Sequence, residues 1–125
     1  MNKSLEHIKT YYSKELKTPA GTLIIEGPVP SQQLAEYKFH EDLIAFRPSE
    51  KQHKALIEIA ELPEGRIIIA RDGETIVGYA TFLYPDPLER WSEGKIENMI
   101  ELGAIEIIPR YRGFGVGKGI LLVSM

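Results

Sequence analysis

The segment Arg110-Tyr111-Arg112-Gly113-Phe114-Gly115-Val116-Gly117-Lys118-Gly119 constrains this chain more than any other. Glycine recurs at every second position from 113 to 119, and all the charged residues of the segment are cations. An apolar run from Ile100 to Ile108, closed by Pro109, reads as a strand in front of it. From Val116 a helix begins, with Ile120, Leu121 and Val123 apolar. A strand, glycine loop and helix in this order have a physical use. The first N–H groups of a helix lack internal acceptors, and the helix dipole makes that end positive. Glycines remove the Cβ atoms that would hold an anion off the backbone. The segment therefore reads as a cradle for a phosphate or diphosphate. No acid follows Glu106, so Arg110, Arg112 and Lys118 form a local positive excess in a chain of net charge −3.

Spacing separates the known uses of such a loop. A P-loop, G-x-x-x-x-G-K-[ST], needs glycine at 112 and a hydroxyl at 119; the chain has Arg112 and Gly119 there. The dinucleotide fingerprint G-x-G-x-x-G, started at Gly115, meets Ile120 where its last glycine belongs. A third spacing, [QR]-x-x-G-x-[GA] after a strand that ends near a proline, is met in full by Arg112-Gly113-Phe114-Gly115-Val116-Gly117.

The rest of the chain alternates elements. Tyr11 to Leu16 and Thr22 to Glu26 read as strands around the turn Thr18-Pro19-Ala20-Gly21. Ser31 caps a predicted helix with Leu34, Phe39, Leu43 and Phe46 on one apolar face, ended by Pro48. Ser49-Glu50-Lys51-Gln52 has the form of a capping box before a second helix carrying Ala55, Leu56, Ile59 and Ala60. Ile67-Ile68-Ile69-Ala70, between Arg66 and Arg71, predicts a strand buried on both faces. Asp72-Gly73 is a hairpin turn, and Thr75 to Tyr84 is the returning strand. Leu88 to Met99, which holds Trp91, reads as a short helix or ordered loop. The two arginines are expected to solvate the strand ends, and His7, His40 and His53 to face solvent. The fold class is α/β, layered as α+β.

Composition narrows the function. With 125 residues the chain is one domain with one core. There are no cysteines, hence no disulfide framework and no thiolate chemistry. The negative net charge argues against generic nucleic-acid binding. No run approaches a membrane span and the first residues lack the apolar core of a signal peptide, which suits a cytoplasmic protein.

The third spacing is that of the pyrophosphate loop of the GNAT superfamily of N-acetyltransferases, and the run Ile105 to Gly117 resembles the strand, loop and helix that hold acetyl-CoA there. A narrower resemblance covers nearly the whole chain. Glu64 to Gly73, Tyr84 to Gly94 and Ile100 to Glu106 are similar to the acetoin-utilization acetyltransferases of bacteria, which acetylate a lysine of acetyl-CoA synthetase and switch it off. The resemblance implies a GNAT-like N-terminal half, with the first four strands of that fold, two helices before the hairpin and a truncated third helix. It implies that Arg112, Gly113, Phe114, Gly115, Val116 and Gly117, with Lys118 close by, hold the diphosphate of acetyl-CoA. The pantetheine arm would pair with the main chain of Ile105 and Ile107. Some relatives place a glutamate at the start of this strand to take the proton of the attacking amine. Counted back from the loop, that position is Glu101, whose strand parity matches Ile105 and Ile107. Glu106 falls on the other face and reads as surface or structural. Set against the superfamily, residues 1–125 form a single incomplete acetyltransferase domain without the last strands and helix, expected to be inactive alone. The exposed strand edge would suit a second copy in a homo-oligomer. Acetyl-CoA synthetase is the expected protein partner, with no nucleic-acid, membrane or metal partner. A non-catalytic CoA-binding regulatory module and a small-molecule amine acetyltransferase are the competing readings.

Overall fold

Ile67-Ile68-Ile69-Ala70 forms the middle of the sheet, and every residue from Gly65 to Ala70 is buried. In the computed structural model, which describes residues 11–83 and 101–124, this strand is β4 (Gly65–Asp72). It lies between β2 (Gly21–Gly27) and β5 (Thr75–Leu83), antiparallel to both. Outside β2 lies β1 (Tyr12–Thr18), joined by the predicted tight turn. The outer edge of β5 is shared. β3 (Lys38–Phe39) pairs in parallel with Thr75 and Ile76, and β6 (Glu101–Ile107) pairs antiparallel from Gly78 to Leu83. Among the described residues three helices accompany the sheet: α1 (Ser31–Glu36), α2 (Ser49–Ala60) and α3 (Val116–Ser124).

Register assigns the helices to opposite faces. Gln52 of α2 bonds to Tyr79, which pairs with Ile69. Gly119 of α3 packs on Ile25, which pairs with Ala70. Ile69 and Ala70 are adjacent in one strand, so their side chains point oppositely. Leu34 and Leu56 fill the first layer, and Val116 and Ile120 the second, all essentially fully buried. Each such large side chain contributes about 1.5–3 kcal/mol. No helix among the described residues is long and apolar enough to cross a membrane.

Three local expectations are corrected. The first helix stops at Glu36 instead of running to Phe46. The backbone turns to the sheet, where Lys38 N–H donates to Glu74 O and His40 N–H to Ile76 O. Phe39 stacks on His53 with ring centroids 5.0 Å apart, and Phe46 is exposed. An open sheet edge and an aromatic partner outweigh the helical spacing. The capping box does not form either. Pro48 is the N-cap, its carbonyl accepts from Lys51 and Gln52, and the Gln52 side chain turns inward to Tyr79. In the hairpin, Asp72 pairs with Thr75, so the turn residues are Gly73 and Glu74, and only Gly73 takes positive φ.

The charged and aromatic side chains around β4 do more than meet solvent. Arg66 is buried and donates to Pro63 O and Gly65 O. Arg71 donates to Glu26 at 2.6 Å. His53 is half-buried, with Nε2 2.7 Å from Leu34 O. Tyr84 to Gly94, Trp91 and the Leu88 to Met99 reading lie outside the described residues, as does His7.

Candidate functional site

The loop between β6 and α3 is fixed at both ends. After β6 the chain makes a 3-10 turn, Pro109–Tyr111, that the sequence reading missed. Tyr111 is buried, and its hydroxyl donates to Asp72 at 3.0 Å. Burial, then that bond, raises the phenol above its ordinary value. Arg110 lies over the Tyr111 ring and donates to Ala20 O at 3.2 Å. Both hairpin turns therefore hold the entrance of the loop. At its exit, Val116 and Ile120 anchor α3 in the core.

Between these anchors the backbone takes the form the glycines allow. Gly113 has φ +86° and Gly115 φ +82°, conformations that other L residues rarely adopt. Added Cβ atoms there would meet nothing within 4 Å, so the requirement is conformational rather than steric. The first helical bond runs from Gly119 N–H to Gly115 O at 2.9 Å. Among the described residues, no backbone carbonyl accepts from the N–H groups of Gly113 through Lys118. These donors sit at the positive end of α3, in an exposed loop without an acid. This donor set fits the diphosphate of CoA. Gly119 differs: its Cβ would stand 2.7 Å from Ile25 Cδ1, so it is a packing glycine.

The structure brings some predicted residues together and separates others. Ile105 and Ile107 lie under the first turn of α3, with their Cδ1 atoms 3.9 and 3.4 Å from where a Cβ on Gly117 would be. Among the described residues no strand pairs with the outer edge of β6, which leaves main-chain groups along that edge for an extended ligand. Phe114 and Lys118 are exposed. Arg112 turns back, and its Nε donates to Ile107 O at 2.8 Å, joining the loop to the end of β6.

Glu101 opens β6 opposite Leu83, but the strand parity that aligned it with Ile105 and Ile107 does not hold. A bulge leaves Gly103 unpaired between the Thr81–Ala104 and Phe82–Leu102 pairs. Ile105 and Ile107 pair with Ala80 and Gly78, whereas Glu101 pairs with Leu83 and Glu106 with Tyr79. By register Glu101 and Glu106 thus share a face of the sheet. Of the two expected places for Glu106, surface or structural, it takes the second: it is buried and accepts from Tyr79 and from Ala45 N–H, each at 2.8 Å. Burial first, then the bond to Glu106, raises the Tyr79 phenol far above its usual range. Strand alternation carries no signal of this pair: it sets Glu106 between Ile105 and Ile107 on the opposite face, and that face is buried only by what packs on it in the fold.

The site is thus a layered sheet with a glycine loop of backbone donors at the end of a strand whose outer edge no other strand covers among the described residues. The chain belongs to the GNAT acetyltransferase family, whose model matches residues 36–122. It is 68% identical to acetoin utilization protein AcuA of Bacillus licheniformis and 67% identical to AcuA of Bacillus subtilis (strain 168), in each case over 97% of this chain and 58% of the relative. The chain therefore spans less than two thirds of the length of these curated relatives. The crystal structure of the acetoin utilization protein from Exiguobacterium sibiricum 255-15 superposes with a TM-score of 0.83 at 56% identity, over 94% of this chain and 56% of that one. The ribosomal-protein-alanine N-acetyltransferase of Brucella melitensis biovar Abortus 2308 matches at 17% identity with a TM-score of 0.54, over 82% of this chain and 68% of that one, and shares the fold.

Proposed function

We propose that this chain is part of an acetyl-CoA-dependent protein lysine N-acetyltransferase of acetoin and acetate metabolism, a single acetyltransferase domain of which residues 1–125 form an incomplete portion. The observation that carries this reading is the loop: backbone donors from Gly113 through Lys118 without carbonyl acceptors among the described residues, at the N-terminus of α3. In this reading the amides of Gly113, Phe114, Gly115, Val116 and Gly117 bind the diphosphate; the Arg112 amide already donates to Pro109 O at 3.2 Å, so Arg112 contributes its guanidinium charge, and the Lys118 ammonium adds positive charge beside it. Main-chain groups of Ile105 and Ile107 orient the extended arm along the edge of β6. Bound acetyl-CoA supplies the activated acetyl thioester. Glu101 takes the proton of the acceptor amine so that the nitrogen lone pair is free to attack. The base assignment rests on the family resemblance and on Glu101 standing at the start of β6.

The acceptor is a lysine of acetyl-CoA synthetase, and acetylation switches that enzyme off. Supporting this are the resemblance to the acetoin-utilization acetyltransferases and the high identity to relatives that carry that name. Calorimetric titration with acetyl-CoA and with CoA tests the site: saturable heat is expected, and no heat with either would overturn it. Incubation of the full-length protein that contains this chain with acetyl-CoA and either purified acetyl-CoA synthetase or free amines, read by mass spectrometry, tests the acceptor. Label on a synthetase lysine is expected; label on the free amines alone would reassign the protein to small-molecule acetylation.

A further inference from the structure

Segment 40–48 belongs to no helix and no strand. Leu43 is its buried anchor, while Ile44 and Phe46 are 60% and 52% exposed. The amide between these two side chains, Ala45 N–H, donates across 61 residues of sequence to Glu106 Oε2 on β6. The other oxygen of Glu106 accepts from Tyr79, whose hydroxyl accepts in turn from Gln52 Nε2 at 2.9 Å. A buried chain of bonds therefore links α2, β5 and β6 and ends on an irregular segment. A buried carboxylate is costly unless its oxygens are bonded, so this arrangement holds its members in one geometry.

We propose that Glu106 is a positioning residue: it latches segment 40–48 to β6 and so fixes one wall of the approach by which the acceptor amine reaches the reacting group. The proposal rests on reading β6 as the cofactor strand with Glu101 as base. The register places Glu101 and Glu106 on the same face of the sheet, and on that face Glu106 is bonded to this segment.

The far end of the chain distinguishes a latch from a requirement for charge. Gln52 Oε1 is buried without a hydrogen-bond partner among the described residues. In Glu106→Gln the new amide oxygen can keep the Ala45 N–H while its NH2 donates to Tyr79. Tyr79 then turns its proton to Oε1 of a flipped Gln52, and every bond of the chain is remade. Glu106→Ala cannot do this.

The test, in the full-length protein that contains this chain, is hydrogen exchange of segment 40–48 by mass spectrometry, together with steady-state kinetics and acetyl-CoA calorimetry. Glu106→Ala is expected to speed exchange in the segment at least tenfold and raise the acceptor KM about fivefold or more, with acetyl-CoA affinity within twofold of wild type. Glu106→Gln should restore both. Ala45→Pro removes the donor from the other side, keeps Glu106 and Tyr79, and should repeat the Glu106→Ala pattern if that variant does not fold. Unchanged exchange in both severing variants would overturn the latch. Faster exchange with an unchanged acceptor KM would overturn its positioning role. Failure of the wild-type protein to bind acetyl-CoA would remove the functional reading instead, and would leave the exchange result standing.

Discussion

The hydroxyl of Tyr111 donates to the carboxylate of Asp72 at 3.0 Å, which ties the entrance of the glycine loop to the tip of the β4–β5 hairpin. Tyr111 is 1% exposed, whereas Asp72 lies in solvent. The two ends of this bond therefore differ in what they lose. Tyr111→Phe removes one bond, and water can replace it at Asp72, so the expected cost is about 1 kcal/mol. Tyr111→Ala also empties a buried ring site, for about 3–5 kcal/mol. Urea unfolding of the two variants checks the difference; equal losses would show that the bond, not the ring, dominates.

The loop glycines divide into two kinds. Gly113→Ala and Gly115→Ala force a Cβ into left-handed backbone, at about 1–2 kcal/mol each, with no neighbour in the way. Relief of that strain shifts the loop donors, so acetyl-CoA affinity should fall tenfold or more. Gly119→Ala puts its Cβ 2.7 Å from Ile25 Cδ1. Overpacking of about 1–3 kcal/mol outweighs a helix-propensity gain of up to about 1 kcal/mol. That variant should lose stability yet bind acetyl-CoA as wild type does. Calorimetry beside thermal unfolding separates the two classes, and an affinity loss in Gly119→Ala alone would invert the assignment.

Glu26 gives the fold a defined acid dependence. It is 3% exposed and bonded by Arg71, Tyr11 and Tyr37. Burial alone would raise its carboxyl, but the bonds from Arg71, Tyr11 and Tyr37 together hold it below the ordinary 4.5. Because the folded value lies below the unfolded one, this group's contribution is fully present above about pH 4.5 and is lost as pH falls through the folded value. Glu26→Gln should cost about 2 kcal/mol at neutral pH, the scale of a charge-assisted bond. The gap from wild type should narrow below pH 4.5. Denaturant unfolding from pH 3 to 7 reads this; a gap independent of pH would deny Glu26 the role.

Where one element decides its own structure, sequence suffices. The unbroken Ile67–Ala70 run can only be an inner strand, and the glycine spacing at 113–117 places the loop before any contact is known. The misjudged parts are settled by distant partners. Phe39 leaves its helical pattern because β5 offers a free edge and His53 a ring face. Gln52 leaves its capping role because Tyr79 stands within 2.9 Å. Strand parity failed at Gly103, since a single unpaired residue reverses every face assignment before it. Arg66 and Arg71 read as solvated charges, and Glu106 as either surface or structural, because burial of a charge needs partners that only the fold supplies.

That reversal bears on the proposed base. If Glu101 takes the acceptor proton, the acceptor amine arrives on the face of the sheet that carries Tyr79 and segment 40–48, not on the face of Ile105, Ile107 and α3. Glu101→Gln keeps size and hydrogen bonding while removing the basic oxygen. In the full-length protein the expected kcat loss is about 10²–10⁴, with acetyl-CoA affinity unchanged because the proposed diphosphate donors follow the opposite end of β6. The acid limb of the kcat/KM profile, which reports ionisation of the base in the free enzyme, should disappear. Moving one residue along the strand is the control: Leu102 pairs with Phe82, on the other face, so Leu102→Glu in the Glu101→Gln background should not restore turnover. Recovery in that double variant would show that strand position matters more than face, and wild-type kcat in Glu101→Gln across pH would remove Glu101 from the chemistry.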